Sequence, residues 1–170
     1  MTSDPFGQTS VPPIIGAPGA GRTLLAMRLS RSTLARLPTP LRPRLVVVVD
    51  WRVGLTEQIA TQVAVFVPSI NPTVVLVINH LDRAGFEYET FKAARKQALD
   101  ALSARHVLVS AVLPISARLG EGIERNTDRT EWHVGPTLVE VLSRGTKHAP
   151  LATSMGPSIT AAPRHLALAA

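Results

Sequence analysis

The sequence predicts an α/β fold: a three-layer core in which a mostly parallel sheet of about four strands carries helices on both faces. Two patterns predict it. Four short runs rich in β-branched residues, Val11 to Ile15, Leu45 to Val49, Thr73 to Ile78 and Val107 to Ile115, show little polar alternation, as strands buried on both faces of a parallel sheet require. Segments with the helical period separate them, giving a β-α-β-α-β-α-β-α order expected to close with right-handed crossovers. At 170 residues and 45% hydrophobic content the chain suits one domain with a real core.

In order, the first strand runs into "GAPGAGRT", Gly16 to Thr23, and a short helix is expected after Gly21. The stretch "PTPLRP", Pro38 to Pro43, cannot be helix interior and reads as a linker to the second strand. Beyond that strand Leu55, Ile59, Val63, Phe66 and Val67 fall on one helical stripe. After the third strand and Gly85, Phe91, Ala94, Ala98 and Leu102 make another, with Glu87 and Glu89 as the acidic first turn that suits a helix dipole. A fourth helix follows Pro136 through Leu142, and Trp132 and His133 are expected to pack it against the sheet. Residues 1–10 and 146–170 read as a flexible N-terminus and a disordered Pro/Ala-rich tail around a domain at 11–145.

Composition narrows the chemistry. With no cysteine, disulfides and thiolate metal sites are excluded, which fits the expected cytoplasmic location. The longest apolar stretches are strand-sized, far below the roughly 20 residues of a membrane span, and Asp4 and Pro5 at the start do not read as a secretory signal. The net charge of +6 is scattered, and with two Trp, one Tyr and four Phe there are few stacking surfaces. A basic surface suited to anionic small molecules is expected, and neither a membrane nor a nucleic acid is the expected partner. His106, His148 and His165 have no partners at metal spacing.

Ligands of open parallel sheets bind beyond the carboxyl ends of the strands. Those ends carry the Gly-rich loop, then Asp50-Trp51, then "NHLD" at Asn79 to Asp82, then "SAR" at Ser116 to Arg118. The carboxylate of Asp82 can accept two parallel N–H bonds, the pattern offered by the ring N–H and amino group of guanine but not by adenine. Asn79 has both donor and acceptor and can tie neighbouring loops together. A backbone N–H at Ser116-Ala117 can reach the purine oxygen.

The ordered succession "VVVVDWRVGLTEQ", "VVLVINHLDRAGFEYETF" and "LPISARLGEGIERNTDRTEWHVGPTLVEVL" resembles the second half of the GTPase domain of translation-factor-type GTPases. Within that superfamily it is most similar to the large, GTP-hydrolysing subunit of sulfate adenylyltransferase, over about Pro13 to Leu142. The resemblance implies a P-loop-GTPase-like core and guanine recognition by Asn79 and Asp82, with Ser116 and Ala117 completing the base pocket and GTP or GDP as ligand. It also implies, as partner, the adenylyl-transferring subunit of sulfate adenylyltransferase. The family's base motif is N-K-x-D; here His80 stands for the Lys, shorter and mostly neutral at pH 7.

The opening loop aligns in two ways. In the first, Gly16, Gly19, Gly21, Arg22 and Thr23 form the phosphate loop, with backbone N–H groups at a helix N-terminus holding phosphate and Thr23 holding Mg²⁺. Arg22 then replaces the usual Lys with a planar fork, and a switch segment and strand hairpin have been deleted. In the second, "IIGAPGAG" is what remains of the later D-x-P-G-H motif, with Gly16 in place of the magnesium-side Asp and Ala20 in place of the water-side His. The second is preferred because it needs one short insertion and no large excision; sheet geometry fits both. Under either, the groups that position metal and attacking water are missing, so hydrolysis is expected to be impaired by several orders of magnitude. The expected function is a guanine-nucleotide-binding, GTPase-like domain. The alternatives are a non-catalytic pseudo-GTPase or interaction module, and a P-loop kinase-like protein using Arg22.

Overall fold

A computed structural model describes residues 11–32 and 44–143. The linker at Pro38 to Pro43, both termini, His148 and His165 lie outside the described residues. The elements are β1 (Ile14–Gly16), α1 (Arg22–Arg31), β2 (Arg44–Asp50), α2 (Glu57–Ile70), β3 (Thr73–Asn79), α3 (Tyr88–Ser103), β4 (Val109–Pro114) and α4 (Leu138–Ser143), with short 3₁₀ turns at Leu81–Ala84 and Asp128–Thr130. The expected α/β order is therefore present. Two strands are shorter than their apolar runs. Pro12 and Pro13 have no N–H for the ladder, so Pro13 contributes only its carbonyl, to Val46 N at 3.0 Å, before β1 begins. The Val107 N–H turns back to Leu102 O at 3.0 Å, closing α3 where β4 would otherwise start.

All four strands are parallel, in the order β1-β2-β3-β4, and the register sets Asp50 beside Asn79 at the carboxyl ends. Every residue of β2 is buried, as its unbroken apolar run requires. Alternate side chains feed two cores. Leu45, Val47, Val49, Leu76 and Ile78 pack against Ile59, Ala60 and Val63 of α2 and Phe91, Ala94, Ala98 and Leu102 of α3. Val46, Val48, Val75 and Val77 pack with Leu25 and Leu29 of α1 and Leu138, Val139 and Leu142 of α4 on the other face. The layers are thus α1/α4, sheet, α2/α3. No helix among the described residues is long and apolar enough to cross a membrane.

This layering corrects one expectation. From β1 to β4 the chain always steps the same way across the sheet, yet α1 lies on the face opposite α2 and α3. The β1-α1-β2 crossover therefore has the opposite hand to the two that follow. Strand twist makes nearly all such crossovers right-handed, which assigns the left hand to the first.

Helix ends follow local chemistry. Thr56 caps α2 by accepting from Ile59 N at 3.4 Å, and Asn71 ends it in the left-handed conformation. α3 begins at Tyr88 with Glu89 in its first turn, as expected. Trp132 donates its indole N–H to Phe86 O at 2.8 Å and packs on Phe91 and Tyr88. It closes the α3 side of the sheet, whereas the expected contact was with the last helix, which lies on the opposite face.

Candidate functional site

The carboxyl ends of β1, β2, β3 and β4 bring the Gly-rich loop, Asp50, Asn79 to Asp82 and Ser116 to Arg118 to one rim. In the loop, Gly16 is buried so closely against β2 that an added Cβ would lie 2.5 Å from Val48 O. Gly21 has φ +93°, and its Cβ would fall on the Asn79 side-chain nitrogen, well inside van der Waals contact. Gly19 also has a positive φ but faces open space. Gly21 is the N-cap of α1, which has no side-chain cap and no acid in its first turn, leaving backbone N–H groups and the dipole facing outward. Arg22 and Thr23 stand exposed at that helix end.

Asn79 is the hub. Fully buried, it donates from Nδ2 to Ala20 O at 2.7 Å and accepts at Oδ1 from Ala117 N at 2.9 Å, so one amide ties the Gly-rich loop to the turn after β4. His80 adds a second tie: its Nε2 lies 3.0 Å from Gly19 O, which sets that nitrogen as the donor, and 4.0 Å from Asp50 Oδ2. Trp51 Nε1 donates to His80 O at 3.0 Å. The imidazole thus engages the loop backbone. Asp50 is held by Arg52, with Nε 3.0 Å from Oδ1 and Nη2 2.6 Å from Oδ2. Burial pushes the Asp50 carboxyl up, but the side-chain and backbone hydrogen bonds from Arg52, then its charge and that of nearby His80, bring it below the usual range.

Asp82 has both oxygens engaged. Ser116 Oγ donates to Oδ1 at 2.6 Å, while Arg118 Nε and Nη2 reach Oδ2 at 2.9 and 2.8 Å. Here too burial pushes the carboxyl up, and hydrogen bonds from Ser116 and Arg118 outweigh it to lower the pKa. The backbone of this turn is clamped from α1: Arg28 donates from Nε to Ala117 O and from Nη2 to Arg118 O, the latter at 2.6 Å. A cavity of about 280 Å³ lies beside this clamp, lined by Leu24, Met27, Arg28, Arg31, Gly120, Ile123 and Glu124. Behind the turn, buried Glu121 accepts from Thr127 N, Thr127 Oγ1 and Thr130 Oγ1 at 2.7, 2.7 and 2.9 Å and orders the loop that carries Trp132.

The structure therefore draws the sequence-predicted residues together: Asn79, His80, Asp82, Ser116 and Ala117 form one cluster, with Gly16, Gly19, Gly21, Arg22 and Thr23 beside it. Sequence reasoning did not find the clamp by Arg28 or the pair between Arg118 and Asp82. Arginine at a helix surface carries no signal by itself, although Arg118 directly follows Ser116-Ala117. Among the described residues, no group of three or more His, Asp or Glu can hold a metal ion. Chemically, the cluster brings together a carboxylate, an amide hub and an uncapped helix end, while the Ser116 and Ala117 N–H groups, expected to reach a purine oxygen, are already bonded to Glu121 O and Asn79 Oδ1.

Comparison with known proteins gives a consistent relationship. No family model matches the chain. It is 31% identical over 97 residues to the bifunctional enzyme CysN/CysC of Xylella fastidiosa, covering 57% of this chain and 16% of the relative. Its counterpart in Mycobacterium tuberculosis is 35% identical over 100 residues, again 57% of this chain and 16% of the relative. Elongation factor 1-alpha of Archaeoglobus fulgidus is 29% identical over 69 residues, 39% of this chain and 16% of that protein. The chain thus spans about one sixth of the length of these relatives. Among solved structures, Sup35 complexed with GMPPNP superposes with a TM-score of 0.59 at 17% identity, over 85% of this chain and 48% of that one, a likeness of fold.

Proposed function

We propose that this chain, a partial translation-factor-like GTPase domain, binds guanine nucleotide. In this reading the base is held by Asn79, His80, Asp82, Ser116 and Ala117, and the phosphates lie at Gly16, Gly19, Gly21, Arg22 and Thr23. The observation that carries it is the double engagement of Asn79, which joins the N–H-rich loop to the base-facing turn through one buried amide. This reading takes a ligand with an anion at one end and a purine at the other. Titration with fluorescent guanosine and adenosine diphosphates, with and without Mg²⁺, tests it. A guanine preference that disappears in Asp82→Asn is expected; equal affinity for the two bases in the wild-type chain refutes it.

The hand of the first crossover supports the phosphate-loop alignment over the D-x-P-G-H one. A strand-helix unit that had always run straight to its neighbour would keep the right hand, with α1 beside α2. An α1 on the opposite face is what remains when a segment between α1 and β2 is removed, and Gly16 and Gly21 are then loop glycines held by close approach. Turnover is another matter. Between Thr23 and Asp50 the sequence contains no Asp, Glu or His, and Asp50 is neutralised by Arg52. Phosphoryl transfer depends on positioned charge, metal and water, so hydrolysis should be slower than in intact GTPases by several orders of magnitude. Thr23 is the residue that would hold Mg²⁺. An association with the adenylyl-transferring subunit of sulfate adenylyltransferase belongs to the same reading, and co-elution of the two purified chains tests it.

A second reading, a pseudo-GTPase that keeps the fold without the ligand, is favoured by the occupation of both Asp82 oxygens within the chain itself. Melting with saturating GDP separates the two. A ligand at 100 times its dissociation constant adds roughly 2.7 kcal/mol to the native state, a shift of several degrees, whereas the pseudo-GTPase shows none.

A further inference from the structure

We propose that Arg118 is an internal stand-in for the guanine base, occupying the carboxylate of Asp82 until a ligand with the same donor pattern displaces it. The inference rests on reading Asp82 as the base-recognising acid. The Arg118 fork presents Nε–H and Nη2–H side by side to Oδ2 at 2.9 and 2.8 Å, with Ser116 on Oδ1. Guanine offers the same chemistry, two parallel N–H donors in one plane, and the two planar groups compete for one acceptor.

Burial shows the consequence. The Asp82 side chain is 2% exposed while that of Arg118 is 62% exposed, so the arginine covers the acid from the solvent side. The backbone of the turn stays fixed when the side chain swings out, because Arg28 holds Ala117 O and Arg118 O, and Asn79 holds Ala117 N. Displacement is therefore a side-chain event on a rigid frame. Adenine cannot bring it about, since it would set a ring acceptor against the carboxylate and leave Oδ2 of Asp82 without the donors that Arg118 supplies. Arg118 lowers guanine affinity and adds a requirement for two donors.

The test compares wild type, Arg118→Ala and Arg118→Lys in the full 170-residue chain, using N-methylanthraniloyl-GDP and N-methylanthraniloyl-ADP. An ion pair so exposed is weak, so Arg118→Ala should tighten the guanine ligand by about three- to fivefold and leave the adenine ligand unchanged. Arg118→Lys, with a point charge in place of the fork, should fall between. Unchanged melting temperature in both variants shows that the frame is intact. Measurable but equal guanine affinities for wild type and Arg118→Ala overturn the stand-in and leave the guanine reading standing. Weaker binding by Arg118→Ala also overturns it, because Arg118 would then hold the base. Absence of guanine binding in all three chains overturns both.

Discussion

Replacing Asn79 by Ala should release two parts of the rim at once, the Gly-rich loop and the turn after β4. Both of its partners, Ala20 and Ala117, are 1% exposed, so the substitution strands the Ala20 carbonyl and the Ala117 N–H away from water. An orphaned buried group costs roughly 1 to 3 kcal/mol, and two of them, with some relaxation, cost about 3 kcal/mol. A domain of this size loses roughly 3 to 4 °C of melting temperature per kcal/mol, so the chain should melt about 10 °C lower. Asn79→Asp separates the two bonds, since it keeps the acceptor for Ala117 N but sets a charged oxygen against Ala20 O at 2.7 Å. It should be at least as destabilising as Asn79→Ala. Thermal denaturation by circular dichroism measures both, and tryptic cleavage after exposed Arg22 should accelerate as the loop comes loose. A loss below about 1 kcal/mol in Asn79→Ala, with cleavage at the wild-type rate, would refute the tether.

Three further outcomes follow from the same geometry. Gly21→Ala forces a Cβ onto Asn79 Nδ2 at φ +93° and should cost about 2 to 4 kcal/mol; combined with Asn79→Ala the losses should fall short of their sum, because one bond is broken twice. Glu121→Ala removes the acceptor for three donors, two of them hydroxyls, and should cost about 3 kcal/mol in urea denaturation, with Glu121→Gln milder because one oxygen remains. With pH, Asp50 and Asp82 both have lowered folded pKa values, so their stabilisation is full above the ordinary carboxylate value of 3.8 and is lost as pH falls through the lower folded values. For His133 burial itself lowers the folded pKa, against an opposing hydrogen bond to Pro136 O, so stability from this group is full above 6.5 and declines below it. Melting temperature against pH should show both declines, the upper one disappearing in His133→Gln.

Much of this was legible in the sequence because strands buried on both faces write themselves as unbroken β-branched runs. Polar residues at their carboxyl ends must then share one rim: Asn79 after Thr73 to Ile78, and Ser116 after Val107 to Ile115, were placed by that logic alone. The Leu25 and Leu29 spacing marks a helix with one apolar stripe, but either sheet face can receive such a stripe, and the hand of the crossover lies in no local pattern. Arg28 and Arg118 were invisible for a related reason. A long cation acquires its role only from the carbonyls or carboxylate that tertiary structure brings to it, here from 36 or more residues away. Glu121 reads as a surface acid until Thr127 and Thr130 close over it.

The first crossover links these observations to chemistry. A left-handed connection is disfavoured by strand twist, so a chain is not expected to adopt one when a short loop could have placed α1 beside α2. It persists here because α1 is held on its own face independently: Leu25 and Leu29 are fully buried with Val46, Val48 and Leu138, and Arg28 fastens the helix to the turn after β4. The Arg28 anchor reaches the turn after β4 at the rim, whereas the Leu25 and Leu29 anchor lies in the core beneath it. On the proposed phosphate-loop alignment, loss of a segment between α1 and β2 would remove groups that act on a terminal phosphate while leaving closed the hydrogen-bonded circuit of Asn79, Asp82 and Ser116 that is proposed to hold the base. On that proposal, affinity for guanine and capacity for hydrolysis should be separable in this chain. Guanosine diphosphate should bind about as well as the triphosphate, and a preference for the triphosphate of tenfold or more would show that a γ-phosphate contact survives.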